Sequence, residues 1–132
     1  MGLKISKAEI QTSRAVTLLL EGEIDNNSSV ALDKEISQIT GGPVSAVILD
    51  MEKVTFISSS GIGVIVKAQN MLKATGAELT MISLQPQVKR VFEIMQLTPL
   101  LNVFESREEL DEYLLKIQNR IIEKGTSIYT EQ

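Results

Sequence analysis

The sequence is most explicit at Val54-Thr55-Phe56-Ile57-Ser58-Ser59-Ser60-Gly61-Ile62-Gly63-Val64-Ile65-Val66. An apolar strand, Val47-Ile48-Leu49, leads through Asp50-Met51-Glu52-Lys53 and a short hydrophobic link into three consecutive serines. A helical period opens behind them, with Ile62, Ile65, Ala68 and Leu72 on one face. A serine just before a helix caps it by accepting from an unpaired backbone N–H group. One serine is enough for that task, so the others keep their hydroxyls beside the positive end of the helix dipole. A negative group is tolerated there, and the local physics describes a place to put a phosphate.

Working outward, residues 3–9 read as a first strand at an edge, and Arg14 to Glu23 as a long β-rich run. A helix follows with Ser29, Leu32, Ile36 and Ile39 on one face, stopped by Gly41-Gly42-Pro43. Val44 to Leu49 is nearly continuous in apolar residues, as expected for a strand buried on both faces. The helix after the serines should run to Thr75 with Gly76 as its C-cap, and Ala77 to Ile82 is the next strand. Pro86 suits the first turn of a helix burying Val88, Val91, Phe92 and Met95. A short strand is expected at Asn102-Val103-Phe104. Ser106-Arg107-Glu108-Glu109 then forms a capping box opening a helix that turns Leu110, Tyr113, Leu114, Ile117 and Ile121 inward. The alternation predicts an α/β domain with a mixed sheet of about five strands, parallel in its later part, and about four helices. Residues 1–125 form this domain and 126–132 a polar tail.

Composition removes whole branches of chemistry. The chain has 132 residues, no cysteine, no histidine and a net charge of −4. Disulfides, a thiolate nucleophile, a cysteine zinc site, an imidazole base and a Ser-His-Asp triad are all excluded. An acidic chain lacks the clustered Lys and Arg that neutralise nucleic-acid phosphates. No apolar run reaches the ~20 residues of a membrane span, and Met1-Gly2-Leu3-Lys4-Ile5-Ser6 lacks the sustained apolar core of a signal peptide, so none is expected. A glycine at position 2 with Ser6 matches a myristoylation pattern, which is short and often accidental, and Asn26-Asn27-Ser28-Ser29 holds two glycosylation sequons, which carry no weight without a secretion signal. The expectation is a cytoplasmic module without cofactor or metal, not an enzyme, that binds neither nucleic acid nor membrane.

With those residues on the page, a family resemblance is plain. Ser58-Ser59-Ser60-Gly61-Ile62-Gly63 resembles the Asp-Ser-Ser-Gly-Leu-Gly signature of the bacterial anti-sigma-factor antagonists within the STAS domain family. Gly22-Glu23-Ile24-Asp25, followed by Asn26-Asn27-Ser28, resembles the family's Gly-Glu-Leu-Asp segment. Val47-Ile48-Leu49-Asp50 is similar to its central strand, and Pro86-Gln87-Val88-Lys89-Arg90-Val91-Phe92 with Leu97 to its later helix. The segments occur in family order across residues 5–118. The resemblance implies a phosphorylation-controlled binding switch in transcription regulation. The unmodified protein would sequester an anti-sigma factor, itself an ATP-dependent serine kinase, and so release a sigma factor. Phosphorylation at Ser59 would break the complex, and a serine phosphatase would restore it. Asp25, Asn26, Asn27, Ser58, Ser59, Ser60, Gly61 and Gly63 would form the partner-binding surface.

The departure from the family is Ser58, which stands where the family has aspartate. One negative charge beside the incoming phosphate is gone and a competing hydroxyl is added, so Ser58 and Ser60 are alternate sites. A second reading keeps the fold without a regulated serine: a STAS scaffold or sensor of a stress-signalling or transporter complex. The Gly61-x-Gly63 pair lacks the third glycine of a dinucleotide fingerprint, since position 66 is Val. Lys89 and Arg90 read as surface charges. Neither the sigma factor nor the oligomeric state follows from the residues.

Overall fold

The computed structural model describes residues 2–10, 14–97, 101–113 and 115. Five strands form one sheet in sequence order: β1 (Leu3–Ile10), β2 (Ala15–Ile24), β3 (Ala46–Ile57), β4 (Glu78–Ile82) and β5 (Asn102–Phe104). The β1–β2 pair is antiparallel and every later pair parallel. The helices are α1 (Ser28–Thr40), α2 (Ser59–Ala74), α3 (Pro86–Ile94) and α4 (107–113). This is the predicted α/β architecture. None of these helices is long and apolar enough to cross a membrane among the described residues.

Strand β3 is longer than its sequence pattern predicts. It does not stop at Leu49 but runs through Asp50-Met51-Glu52-Lys53 to Ile57. Its partner register explains why. Leu19 and Glu21 of β2 face Asp50 and Lys53, and Gly22 and Glu23 face Val54 and Phe56, so β3 carries an extra residue at each step. Two bulges turn the inward period of two into the burial of Met51, Val54 and Ile57, three residues apart. A hydrophobic period of three resembles a link, not a strand.

One core cluster joins β2 to β4 with α1, α2 and α3, centred on fully buried Leu18, Leu32, Leu49, Ile65, Leu79 and Phe92. Each such side chain contributes roughly 1.5–3 kcal/mol by leaving water. A smaller cluster, Ala15, Ile48, Ile82 and Leu110, lies under α4. Arg107 anchors that helix by donating to Thr17 Oγ1 at 3.0 Å. The Ser106 hydroxyl accepts from Glu109 N–H at 3.2 Å, as a cap should. The return bond differs from expectation: the Glu109 carboxylate accepts from Glu105 N–H, one residue early.

Two apolar residues expected inside are outside. Met95 is 47% exposed because α3 ends at Ile94, and Tyr113 stays at the surface, its ring 5.0 Å from that of Phe104. Leu114, Ile117, Ile121 and the tail lie outside the described residues. Lys89 is a surface charge paired with Glu105 at 2.8 Å.

Helices α2 and α3 end in the same way. Thr75, not Gly76, is the C-cap of α2; Gly76 follows it at φ +82°, with Gly76 N–H on Lys73 O and Ala77 N–H on Leu72 O. At the end of α3 the equivalent left-handed residue is Gln96, at φ 58°, with Gln96 N–H on Glu93 O and Leu97 N–H on Phe92 O. A side chain in that conformation costs about 1–2 kcal/mol, part of which glycine returns through its freer unfolded chain. Gln96→Gly should therefore raise stability by up to about 1 kcal/mol in thermal unfolding, with the fold unchanged. A lower melting temperature would show that the Gln96 side chain contributes contacts of its own.

Candidate functional site

The parallel strands β2 and β3 end side by side, and each feeds a helix that starts at the same pole. The two ends are tied by Ser58 N–H donating to Ile24 O at 2.8 Å. The α2 helix sits close against them because Gly61 has no side chain. A methyl there would lie 2.6 Å from Ile24 Cγ2 and 3.0 Å from Ile57 Cγ1. Gly63 is the opposite case: it is exposed, and a methyl added to it would meet nothing within 4 Å. One glycine seats the helix and the other leaves its outer surface bare.

The three serines divide their tasks. Ser58, in extended conformation, is the N-cap, and its Oγ accepts from Gly61 N–H at 3.1 Å. Such a cap is worth about 1 kcal/mol. The sequence places the helix behind all three serines; it opens earlier, at Ser59, so that two of the three lie in its first turn. Ser60 Oγ donates to Asn26 Oδ1 at 2.6 Å, so its single proton is committed. The 3.0 Å contact between Ser58 Oγ and Ser60 Oγ is then a bond donated by Ser58. Buried Ser29 on α1 closes the cluster, 3.0 Å from Asn26 O and 3.4 Å from Ser60 Oγ. Ser59 takes no part. It is exposed, and its hydroxyl makes no hydrogen bond among the described residues.

Asp25 opens α1. Its Oδ1 accepts from Ser28 N–H at 2.8 Å and from Asn27 N–H at 3.0 Å, and lies 3.0 Å from Ser28 Oγ. Asp25 N–H in turn donates to Ser28 Oγ at 2.8 Å. The Ser28 bonds, with lesser help from Asn27, hold the carboxyl below its ordinary value of 3.8. Asp25, Asn26, Asn27, Phe56 and Ser58 border one recess. Ser59 and Gly63 border another with Ile62, Val66, Met71 and Met95, an open groove of about 580 Å³ between α2 and the end of α3. Of the residues singled out from sequence, Asn26, Ser58 and Ser60 share one hydrogen-bond cluster, and Ser59 and Gly63 share the groove. Gly61 is buried and acts through packing. Sequence reasoning placed Ser29 on the inner face of α1 but not in this cluster, and it missed Phe56, which is 49% exposed because the second β3 bulge turns it outward.

A family model described as the STAS domain matches residues 7–110. An anti-sigma F factor antagonist of Lysinibacillus sphaericus is 28% identical over 92 residues, spanning 69% of this chain and 79% of the relative. Among solved structures, the anti-sigma factor antagonist SpoIIAA in its unphosphorylated form superposes with a TM-score of 0.72. It is 24% identical and spans 86% of this chain and 97% of that one. The Bacillus cell fate determinant SpoIIAA in its phosphorylated form gives 0.66 at 24% identity, over 84% and 99% of the two chains.

The glycine pair makes opposite demands on alanine. Gly61→Ala should cost about 1–3 kcal/mol, because α2 must lift off Ile24 and Ile57. Gly63→Ala should stabilise by about 0.5–1 kcal/mol through helix propensity. Denaturant melts of both variants check this, and equal effects would contradict the packing at Gly61. Asp25 predicts a pH dependence. Its depressed pKa gives stability that is present above 3.8 and lost as pH falls through the lower folded value. Asp25→Asn should be less stable than wild type at neutral pH, and the deficit should close in strong acid; a pH-independent deficit would mean that the charge is irrelevant.

Proposed function

This chain belongs to the STAS domain family, and on that footing we propose that it is an anti-sigma-factor antagonist switched by a phosphate on Ser59. The observation that carries the proposal is the uncommitted hydroxyl of Ser59 between two engaged neighbours. Ser58 must keep its cap and Ser60 its bond to Asn26. Modifying either would break a contact, whereas Ser59 loses nothing. The absence of aspartate at position 58 thus does not displace the site, because Ser58 Oγ serves as the cap acceptor. The relative from Lysinibacillus sphaericus, named as an antagonist, supports the assignment of class.

The partner is an anti-sigma factor that is also an ATPase-type serine kinase, and a serine phosphatase reverses the modification. The partner surface comprises exposed Asn26, Asn27, Ser59 and Gly63, with Asp25, Ser58 and Ser60 holding its shape and Gly61 its position. A neutral hydroxyl on a bare helix surface suits close approach. A phosphoserine brings about −1.5 to −2 charges into that contact. Leaving it unpaired in an interface costs several kcal/mol, enough to undo a micromolar complex. The helix N-terminus tolerates the same charge, so the fold survives the switch. The protein carries no catalytic step itself; it is substrate and ligand.

Incubation with the cognate kinase and ATP should add one phosphate, absent in Ser59→Ala, and mass spectrometry should place it on Ser59. Ser59→Asp should weaken the complex at least tenfold, about 1.4 kcal/mol, while Ser59→Ala binds normally and escapes control. The melting temperature of Ser59→Asp should stay near wild type, since a carboxylate at a helix N-terminus is favourable by roughly 0.3–1 kcal/mol. Equal affinities for wild type, Ser59→Asp and the phosphorylated form would leave the scaffold reading in its place.

A further inference from the structure

Away from Ser59, where β2 begins and α1 ends, lies a cavity of about 390 Å³. It lies beside α1, which packs on α2 and β2. Its floor is apolar: Val16 is buried, and Ile39 and Val44 pack against the main core. Two oppositely charged residues border this floor, Arg14, exposed at the foot of β2, and half-buried Glu35 on α1. Their charged groups do not reach each other, and neither has a side-chain hydrogen bond or ion pair among the described residues. Lys7 lines the β1 side and has an interaction of its own.

Glu35 is only partly exposed, and a carboxylate drawn from water without a partner is unfavourable. Arg14 is held in the left-handed region, at φ 56°, its carbonyl accepting from Ser45 N–H at 2.9 Å. That conformation costs an arginine about 1–2 kcal/mol. The pattern is a cavity within the roughly 300–1,000 Å³ range of ligand sites, with an apolar floor and a few convergent polar groups. The charges define what fits. A simple anion would satisfy Arg14 and be repelled by Glu35; a simple cation would meet the reverse.

We propose that this cavity binds a small zwitterion with an apolar side chain, an aliphatic α-amino acid. The Arg14 guanidinium takes the carboxylate in bidentate fashion, Glu35 takes the ammonium group, and the side chain lies on Val16, Ile39 and Val44. No residue of the Ser59 site is involved, so the two proposals stand or fall separately.

The full chain titrated with L-leucine tests this by calorimetry and by amide NMR shifts. Saturable binding is expected, with shifts concentrated at Val16, Ile39 and Val44. Isocaproate, which lacks the amine, and isoamylamine, which lacks the carboxylate, should each bind at least tenfold more weakly. Glu35→Gln and Arg14→Gly should each weaken L-leucine at least tenfold. Glycine suits the backbone at position 14, so Arg14→Gly keeps the fold while removing the guanidinium. No saturable response to L-leucine, L-valine or L-isoleucine at about 10 mM would overturn the proposal. So would binding that survives both substitutions, or isocaproate binding as tightly as L-leucine.

Discussion

The distance between the first turn of α2 and the ends of β2 and β3 is the constraint on which the site depends. It is set by what Gly61 lacks, since a single methyl there would run into Ile24 and Ile57. With α2 seated this closely, Ser58 N–H reaches Ile24 O and Ser60 Oγ reaches Asn26 on the neighbouring loop. The two helix starts become one unit through side chains no longer than asparagine. The bulges of β3 belong to the same constraint, because they bring Ile57 into register with Ile24 after two extra residues.

Within that unit the hydroxyls are distinguished by geometry alone. Three chemically identical side chains occupy N-cap, first and second helical positions, and only the middle one is directed away from a partner. Under the proposed function, selectivity for Ser59 would need no special recognition by a kinase. The neighbouring hydroxyls are already occupied.

Much of this was visible in the residues. The order of strands and helices, the Gly41-Gly42-Pro43 stop and the apolar faces of α1 and α2 all follow periods that physics imposes on buried elements. What escaped was hidden by one-residue effects. The bulges disguised the second half of β3 as a link. The cap lay at Ser58 because any of three serines has the chemistry and only the strand end chooses among them. Gln96 gave no turn signal, since glycine and asparagine are the residues that advertise a left-handed backbone. The cavity at Arg14 and Glu35 arises between elements distant in sequence, where no local pattern registers it.

The two helix starts also differ in charge. Asp25, an anion, already compensates the positive end of α1, whereas the α2 end is capped by the neutral hydroxyl of Ser58. A phosphate on Ser59 would therefore enter an uncompensated field, without the carboxylate neighbour found in the family signature. It would be held more favourably than one beside an aspartate, and its transfer back to a nucleotide would be more uphill. The equilibrium between the modified and unmodified chain would then lean further toward the modified one, and the return to the binding state would fall to the phosphatase.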